Sequence, residues 1–155
     1  MTAANLGALE ALLVKCRQDE DRAGDALAAA LKSLAAAEDA KGVAERGVEK
    51  ARALLERAID QTRVTTGAVQ RMSEARQFAA RRREEHAASE AGLRDADVAC
   101  GRARDGVTAA QRALAELRGK REAVEGRIAA ERQAIARKAE ERVEEEAADR
   151  GGRRR

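Results

Sequence analysis

The chain has 155 residues and a net charge of +3, and 38% of its residues are charged. Only 1% are aromatic, and there is no Trp, Tyr or Pro. An ordinary globular core buries aromatic and branched aliphatic side chains, so this composition argues against one and is typical of long helices. The positive and negative charges are interspersed, whereas a nucleic-acid interface would be a one-sided basic stripe. We therefore expect no nucleic-acid partner.

Apolar residues recur with a seven-residue period from Leu6 to about Ala58. Large apolar residues at a and small ones at d predict a coiled-coil seam, and hence a helix over residues 4–64. High charge is also typical of disorder, but a disordered chain has no reason to keep its leucines in phase. The a positions are Leu6, Leu13, Glu20, Leu27, Leu34, Lys41, Val48 and Leu55, and the d positions are Leu9, Cys16, Ala23, Ala30, Ala37, Ala44, Ala51 and Ala58.

A second seven-residue frame, out of phase with the first, predicts another helix over residues 68–149. Its a positions are Met72, Ala79, His86, Leu93, Cys100, Val107, Leu114, Arg121, Ile128 and Ile135, and its d positions are Ala68, Ala75, Arg82, Ser89, Ala96, Ala103, Ala110, Leu117 and Val124. Polar residues interrupt the two seams at Glu20, Lys41, His86 and Arg121. Such residues usually set the register at some cost in stability.

The change of frame coincides with a turn signal within residues 62–70. Val64, Thr65 and Thr66 are β-branched and therefore weak helix formers, and Gly67 can adopt the left-handed conformation that ends a helix. We therefore predict an all-α fold, a long antiparallel two-helix coiled-coil hairpin with a longer second helix. It is expected to form a single unit over residues 1–155, with a basic tail at residues 150–155.

The second helix is predicted to extend beyond the first. If the hairpin folds about residue 66, Leu6 lies opposite roughly residue 126, and about 23 residues of the second helix overhang. This overhang is expected to carry Ile128, Ile135 and Val143 on one side, with no partner within the chain. An uncovered apolar stripe is a binding surface by default.

The sequence predicts no catalytic, cofactor-binding or metal site. It lacks the phosphate-binding P-loop motif, it has one histidine, and a two-helix hairpin offers no concave pocket. No apolar run approaches the ~18 residues of a membrane span, so no membrane insertion is expected. The N-terminus does not resemble a secretory signal, and with two cysteines a reducing cytoplasm is the expected location.

Phe78 is the single aromatic residue. It occupies a g position beside the second seam, about three helical turns from the predicted chain reversal. Two interpretations are open. The ring packs over the edge of the hairpin, or it is an exposed anchor for a partner, as aromatic residues often are.

The architecture and local sequence resemble the central stalk family of type III export machines, the FliJ/YscO-type proteins. The Ala-rich first helix and the weak turn contribute to the resemblance. The particular residues that carry it are the opening register of Leu6, Leu9, Leu13, Cys16 and Arg17, the spacing of eleven residues from Gly67 to Phe78, and the charged segment from Glu131 to Arg142.

The resemblance implies an asymmetric helical hairpin whose joined termini enter the pore of a hexameric export ATPase. The far part would meet the cytoplasmic domain of the export gate, and some family members also bind secretion chaperones. On this basis Ile128, Ile135 and Val143 are assigned to the ATPase partner, and Phe78 is assigned to the export gate. The protein would be cytoplasmic and peripheral to the inner-membrane export apparatus.

Two other functions remain open. One is a generic cytoplasmic coiled-coil scaffold or dimerisation protein, for example a parallel dimer of one bent helix. The other is a filament-forming or nucleoid-associated basic rod. The neighbouring genes separate these hypotheses, because a stalk gene would lie beside the gene of an export ATPase.

Overall fold

The computed structural model describes residues 3–152, with side-chain environments from residue 5 to residue 148. Within this range the chain forms two helices, α1 (Ala3–Val64, 62 residues) and α2 (Val69–Gly152, 84 residues), and no strand. The helices pack against each other with the chain reversed between them. The predicted all-α helical hairpin is therefore confirmed, and the bent single helix is not the fold. The basic tail lies partly outside the described residues.

The chain reverses at residues 65–68, inside the segment predicted to turn. Thr65 donates two hydrogen bonds to the carbonyl oxygen of Gln61, from its hydroxyl at 2.6 Å and from its backbone N–H at 3.1 Å. Gly67 then adopts a φ of 110°, a conformation that an L-residue with a Cβ avoids. The backbone N–H of Arg71 donates to the carbonyl of Ala68 at 2.9 Å, which opens α2.

The hairpin divides into two compact units. The turn unit comprises Ala28–Ala109, and the terminal unit comprises the chain up to Leu27 together with the chain from Ala110 onward. Each contains a stretch of both helices. Buried side chains are small in the turn unit, where Ala58, Ala79 and Cys100 are at most 4% exposed.

Both predicted seams lie between the helices. Every a and d position of α1 from Leu6 to Ala58 is buried or half-buried. Up to residue 148, the buried residues of α2 lie at a positions, apart from the d residue Val124. They are Ala79, Cys100, Val107, Leu114, Val124 and Ile128. The period of the sequence therefore identified the core correctly.

The pairing of the helices is shifted from the predicted register. Arg132 binds Glu10 at 2.8 Å, so Leu6 lies opposite the region of residue 136 instead of residue 126. The predicted register paired residues that lie at equal distances along the chain from residue 66. Helical side chains lean toward the N-terminus of their own helix, so two side chains that meet across an antiparallel pair both come from higher-numbered positions than their Cα levels suggest. Side chains near the start of α1 therefore reach farther along α2 than expected, and the part of α2 that they leave uncovered is shorter.

Gly67 and Gly101 provide a matched test of the turn. We expect Gly67→Ala to lower the free energy of unfolding by about 1–2 kcal/mol, because Ala disfavours a positive φ. Gly101→Ala is expected to raise it by up to ~1 kcal/mol, because Gly weakens a helix interior and a Cβ there has nothing within 4 Å. Urea unfolding followed by circular dichroism measures both. Equal effects would contradict the turn geometry.

Candidate partner-binding segments

Three ion pairs between the helices follow a common pattern. Each joins two e positions, the position directly after d. Two lie in the terminal unit, Glu10–Arg132 at 2.8 Å and Arg17–Glu125 at 3.1 Å, and one lies in the turn unit, Glu38–Arg104 at 3.3 Å. We call these three pairs the e-position ladder. Oppositely charged flanking residues are the usual determinants of helix alignment in coiled coils.

A polar network interrupts the seam of the terminal unit. Glu20 and Arg121 both occupy a positions, and Arg121 Nε donates to Glu20 Oε2 at 2.6 Å. The other oxygen of Glu20 accepts from Arg118 Nε at 3.1 Å. Arg121 also donates to Glu125 at 2.9 Å, and Glu125 is the ladder partner of Arg17. Each seam charge therefore meets an opposite charge, as expected of residues that set register.

The network shifts the pKa values of two of its members. Hydrogen bonds from Arg17 and then from Arg121 hold the pKa of Glu125 below its usual 4.5, although partial desolvation opposes this. Hydrogen bonds to Glu20 and to Glu125 raise the pKa of Arg121 above its usual value. Both residues therefore remain charged at neutral pH.

Lys41, in the turn unit, lies close to two carboxylates that would otherwise repel each other. Continuation of the e-position ladder places Glu45 opposite Asp97, which are like charges. Lys41, at an a position, lies 2.7 Å from Asp97 and 3.8 Å from Glu45, between the two carboxylates. The hydrogen bond to Asp97 raises the pKa of Lys41 above its usual 10.5. Its stabilising contribution is thus present below that pH and lost as the pH rises through the raised pKa.

The second helix leaves the hairpin as an exposed segment. Every side chain from residue 132 to residue 148 is exposed, and we call this stretch the uncovered segment. It begins at Arg132, the last residue that pairs with α1 within the described range, so its first residues still lie beside the start of α1. Ile135 and Val143 are 45% and 66% exposed on it. Ala139 lies between them at helical spacing, so the three form a short apolar stripe.

Ile128 is not part of this surface. Its side chain is 5% exposed and packs in a groove with Leu13 of α1. The prediction that it lies uncovered was wrong, because the register shift brings α1 alongside it. Ile135 and Val143 do lie on the uncovered segment. Whether they bind a partner stays a prediction.

Phe78 is half-buried at the turn end of the turn unit. Its ring shares a groove with Gln61 of α1 and Thr65 of the turn. The guanidinium carbon of Arg82 lies 4.9 Å from the ring centroid, within the range of a cation–π contact. The ring therefore packs at the hairpin edge and is partly exposed. Whether it also binds a partner stays a prediction.

The described residues contain no group of three or more His, Cys, Asp or Glu side chains placed to hold a metal ion. Over the same range, neither helix has a stretch apolar enough to cross a membrane.

Comparison of the chain with family models, with curated proteins and with solved structures gives no match. The resemblance to export stalks therefore stays a prediction.

The charged e positions are the residues that the sequence analysis missed. Reading the position after each d residue in both frames gives Glu10, Arg17 and Glu38 in α1, opposite Arg132, Glu125 and Arg104 in α2. These are complementary in sign once the helices are antiparallel. These complementary charges can be read from the sequence, and they predict which residues of α1 and α2 lie opposite each other.

Glu125→Gln tests the network by its pH dependence. Because the native pKa of Glu125 is lowered, its contribution to stability is present above about pH 4.5 and is lost as the pH falls through the native pKa. We therefore expect the variant to be less stable than the parent chain at neutral pH and the difference to shrink in acid. Urea unfolding over a pH series measures this.

Glu116→Gln is the matched control, since Glu116 is exposed and forms no ion pair within the described part of the chain. It should leave stability nearly unchanged at every pH. A deficit of Glu125→Gln that persists unchanged in acid would show that its carboxylate charge does not act through the network.

Proposed function

We propose that this protein is the central stalk of a type III export apparatus, which links a hexameric export ATPase to the export gate. The observation that carries the proposal is the asymmetry of the hairpin, since α2 continues past its last ion pair with α1 as an exposed helix. An unequal hairpin is the form that the resemblance implies. The sequence features of the resemblance add support, and secretion chaperones are further candidate partners.

The uncovered segment is suited to a protein partner. A single helix of this length is only marginally stable in water by itself. Here it presents Val143, which is 66% exposed, Ala139, and the partly covered Ile135. The apolar lining of a ring pore would bury this stripe. Basic residues dominate the first part of the segment, as far as Lys138, and acidic residues dominate from Glu140 to Glu146, so a pore with both charges would also fix the direction of insertion.

A scaffold or dimerisation protein is the alternative. The same apolar stripe could bind a second copy of the chain instead of an ATPase. Stimulation of an export ATPase separates the two functions, because self-association has no reason to affect its turnover.

Ile135→Asp combined with Val143→Asp tests the proposed ATPase contact. Val143 is 66% exposed and Ile135 is 45% exposed, so the free energy of unfolding should fall by only about 1 kcal/mol, mostly from the covered part of Ile135. Stimulation of the export ATPase encoded by the same genome should be abolished, because two charges cannot be desolvated in an apolar contact. Turnover of ATP with and without the variant measures this.

Ile128→Ala is the control for a purely structural defect. It removes a buried side chain and should cost about 2–4 kcal/mol of stability, while stimulation by the folded fraction is retained. Full stimulation by the double aspartate variant would count against insertion of the uncovered segment.

Phe78→Ala tests the proposed export-gate contact. An aromatic anchor typically contributes about 1–3 kcal/mol to binding, so affinity for the cytoplasmic domain of the gate should fall roughly tenfold or more. ATPase stimulation should be unchanged. Gln61→Ala, in the same groove, is the control and should bind the gate normally. A lower melting temperature with unaltered gate binding would show that Phe78 serves packing alone.

A further inference from the structure

The e-position ladder lacks its acidic partners at the turn end of the turn unit. Past Asp97 and Glu90, the e positions of α2 toward the turn are Arg83 and Arg76. Continuation of the ladder places Ile59 opposite Arg83 and Thr66 opposite Arg76, so neither arginine meets a carboxylate. Neither forms an ion pair within the described residues. Both line one groove with Arg63 of α1.

Arg63 does not neutralise this groove. It adds a third guanidinium, and its own contact is a long one, 3.5 Å to Asp60. The floor of the groove is apolar, formed by Ile59 and Ala79. The hydroxyl of Thr62, also in the groove, already donates to the carbonyl of Ala58 at 2.8 Å. Three positive charges therefore converge in this groove, whereas each pair of the e-position ladder joins an arginine to a carboxylate.

Positive charge predominates around the turn. Residues 57–83 contain seven arginines and two acidic residues, although Glu56, Glu84 and Glu85 border this stretch and Glu85 pairs with Arg82. Arg71 lines the groove on the opposite flank, and its guanidinium lies beside Gly67 of the turn. The arginines of this stretch are Arg57, Arg63, Arg71, Arg76, Arg81, Arg82 and Arg83.

Two apolar side chains stand at the turn itself. Val64 and Val69, the last residue of α1 and the first of α2, are 76% and 82% exposed. They are the most exposed large hydrophobic residues of the described chain. No acidic residue occurs between Asp60 and Glu74. The turn therefore presents exposed valines with arginines on both flanks behind them.

We propose that the turn end binds the surface of an anionic lipid bilayer, with the valines among the headgroups and the arginines at the phosphates. Arginines on both flanks suit an approach end-on to a plane, whereas a protein docking on one side would use one flank. They are long and exposed, Arg63 by 76%, which suits many mobile phosphates better than one fixed small anion. Basic residues beside such a surface contribute about fivefold each to affinity.

Co-sedimentation with vesicles of phosphatidylcholine and phosphatidylglycerol, three to one, tests the proposal with the full chain. The parent chain should bind these vesicles, bind pure phosphatidylcholine much more weakly, and be released by a tenfold rise in salt. Replacement of Arg63, Arg76 and Arg83 by Gln should weaken binding about a hundredfold. Replacement of exposed Arg94, Arg102 and Arg112 by Gln changes the net charge equally and should weaken it far less.

A second pair of variants tests the apolar contribution. Val64→Ser with Val69→Ser should weaken binding to the anionic vesicles several-fold, whereas Val43→Ser with Val98→Ser, which are also exposed, should not. Circular dichroism confirms that each variant is folded. Equal losses for both arginine triples would overturn the proposal. Binding to poly-glutamate but not to vesicles, with dependence on Arg63, Arg76 and Arg83, would also overturn it and assign the site to an acidic protein.

Discussion

Opposite charges that meet across the helices determine how this hairpin is aligned. The seam alone cannot do so, because its d positions in α1 are nearly all alanine and therefore look alike after a shift of one heptad. Burial of alanine against alanine changes little under such a shift. The pair of Glu20 with Arg121 and the e-position ladder do change, since each residue then meets a different partner.

A shift of one heptad is penalised in either direction. In one direction the e positions meet as like charges throughout, with Glu10 opposite Glu125, Arg17 opposite Arg118, and Glu38 opposite Asp97. In the other direction Arg17 faces Arg132, and Glu20 loses Arg121 and faces Ile128. A carboxylate left beside an apolar side chain is costly. The observed alignment is the one in which both the seam charges and the flanking charges are satisfied.

The sequence was sufficient for the two helices, their seams and the turn, because these depend on local propensity and on period. Gly67 and the β-branched run before it located the reversal. The position of one helix along the other depends instead on the lean of side chains and on charges at e positions. Without these two effects, the predicted pairing places Ile128 in the overhang, although α1 covers it, and makes the overhang too long. The sequence allows two interpretations of Phe78 because the surroundings of its ring come from both helices.

Two kinds of surface remain outside the paired part of the hairpin. The uncovered segment presents an apolar stripe with few constraints from the rest of the chain, and the turn end presents arginines without acidic partners. Both depart from the rule followed elsewhere in the molecule, in which seam residues are covered and e-position charges are paired. Residues that break the stabilising pattern of a fold are commonly found at functional sites.

The e-position ladder also limits how the length of this protein can change. Removal of seven residues from one helix between the turn and the ladder would preserve the heptad period yet slide every later pair out of alignment. A tolerated deletion there must remove matching heptads from α1 and α2 together. Beyond Arg132 no ladder pair follows among the residues that the structure describes, so the uncovered segment can gain or lose residues independently. Related chains are thus expected to vary in length mainly at this end, one helix at a time, and elsewhere only in matched steps.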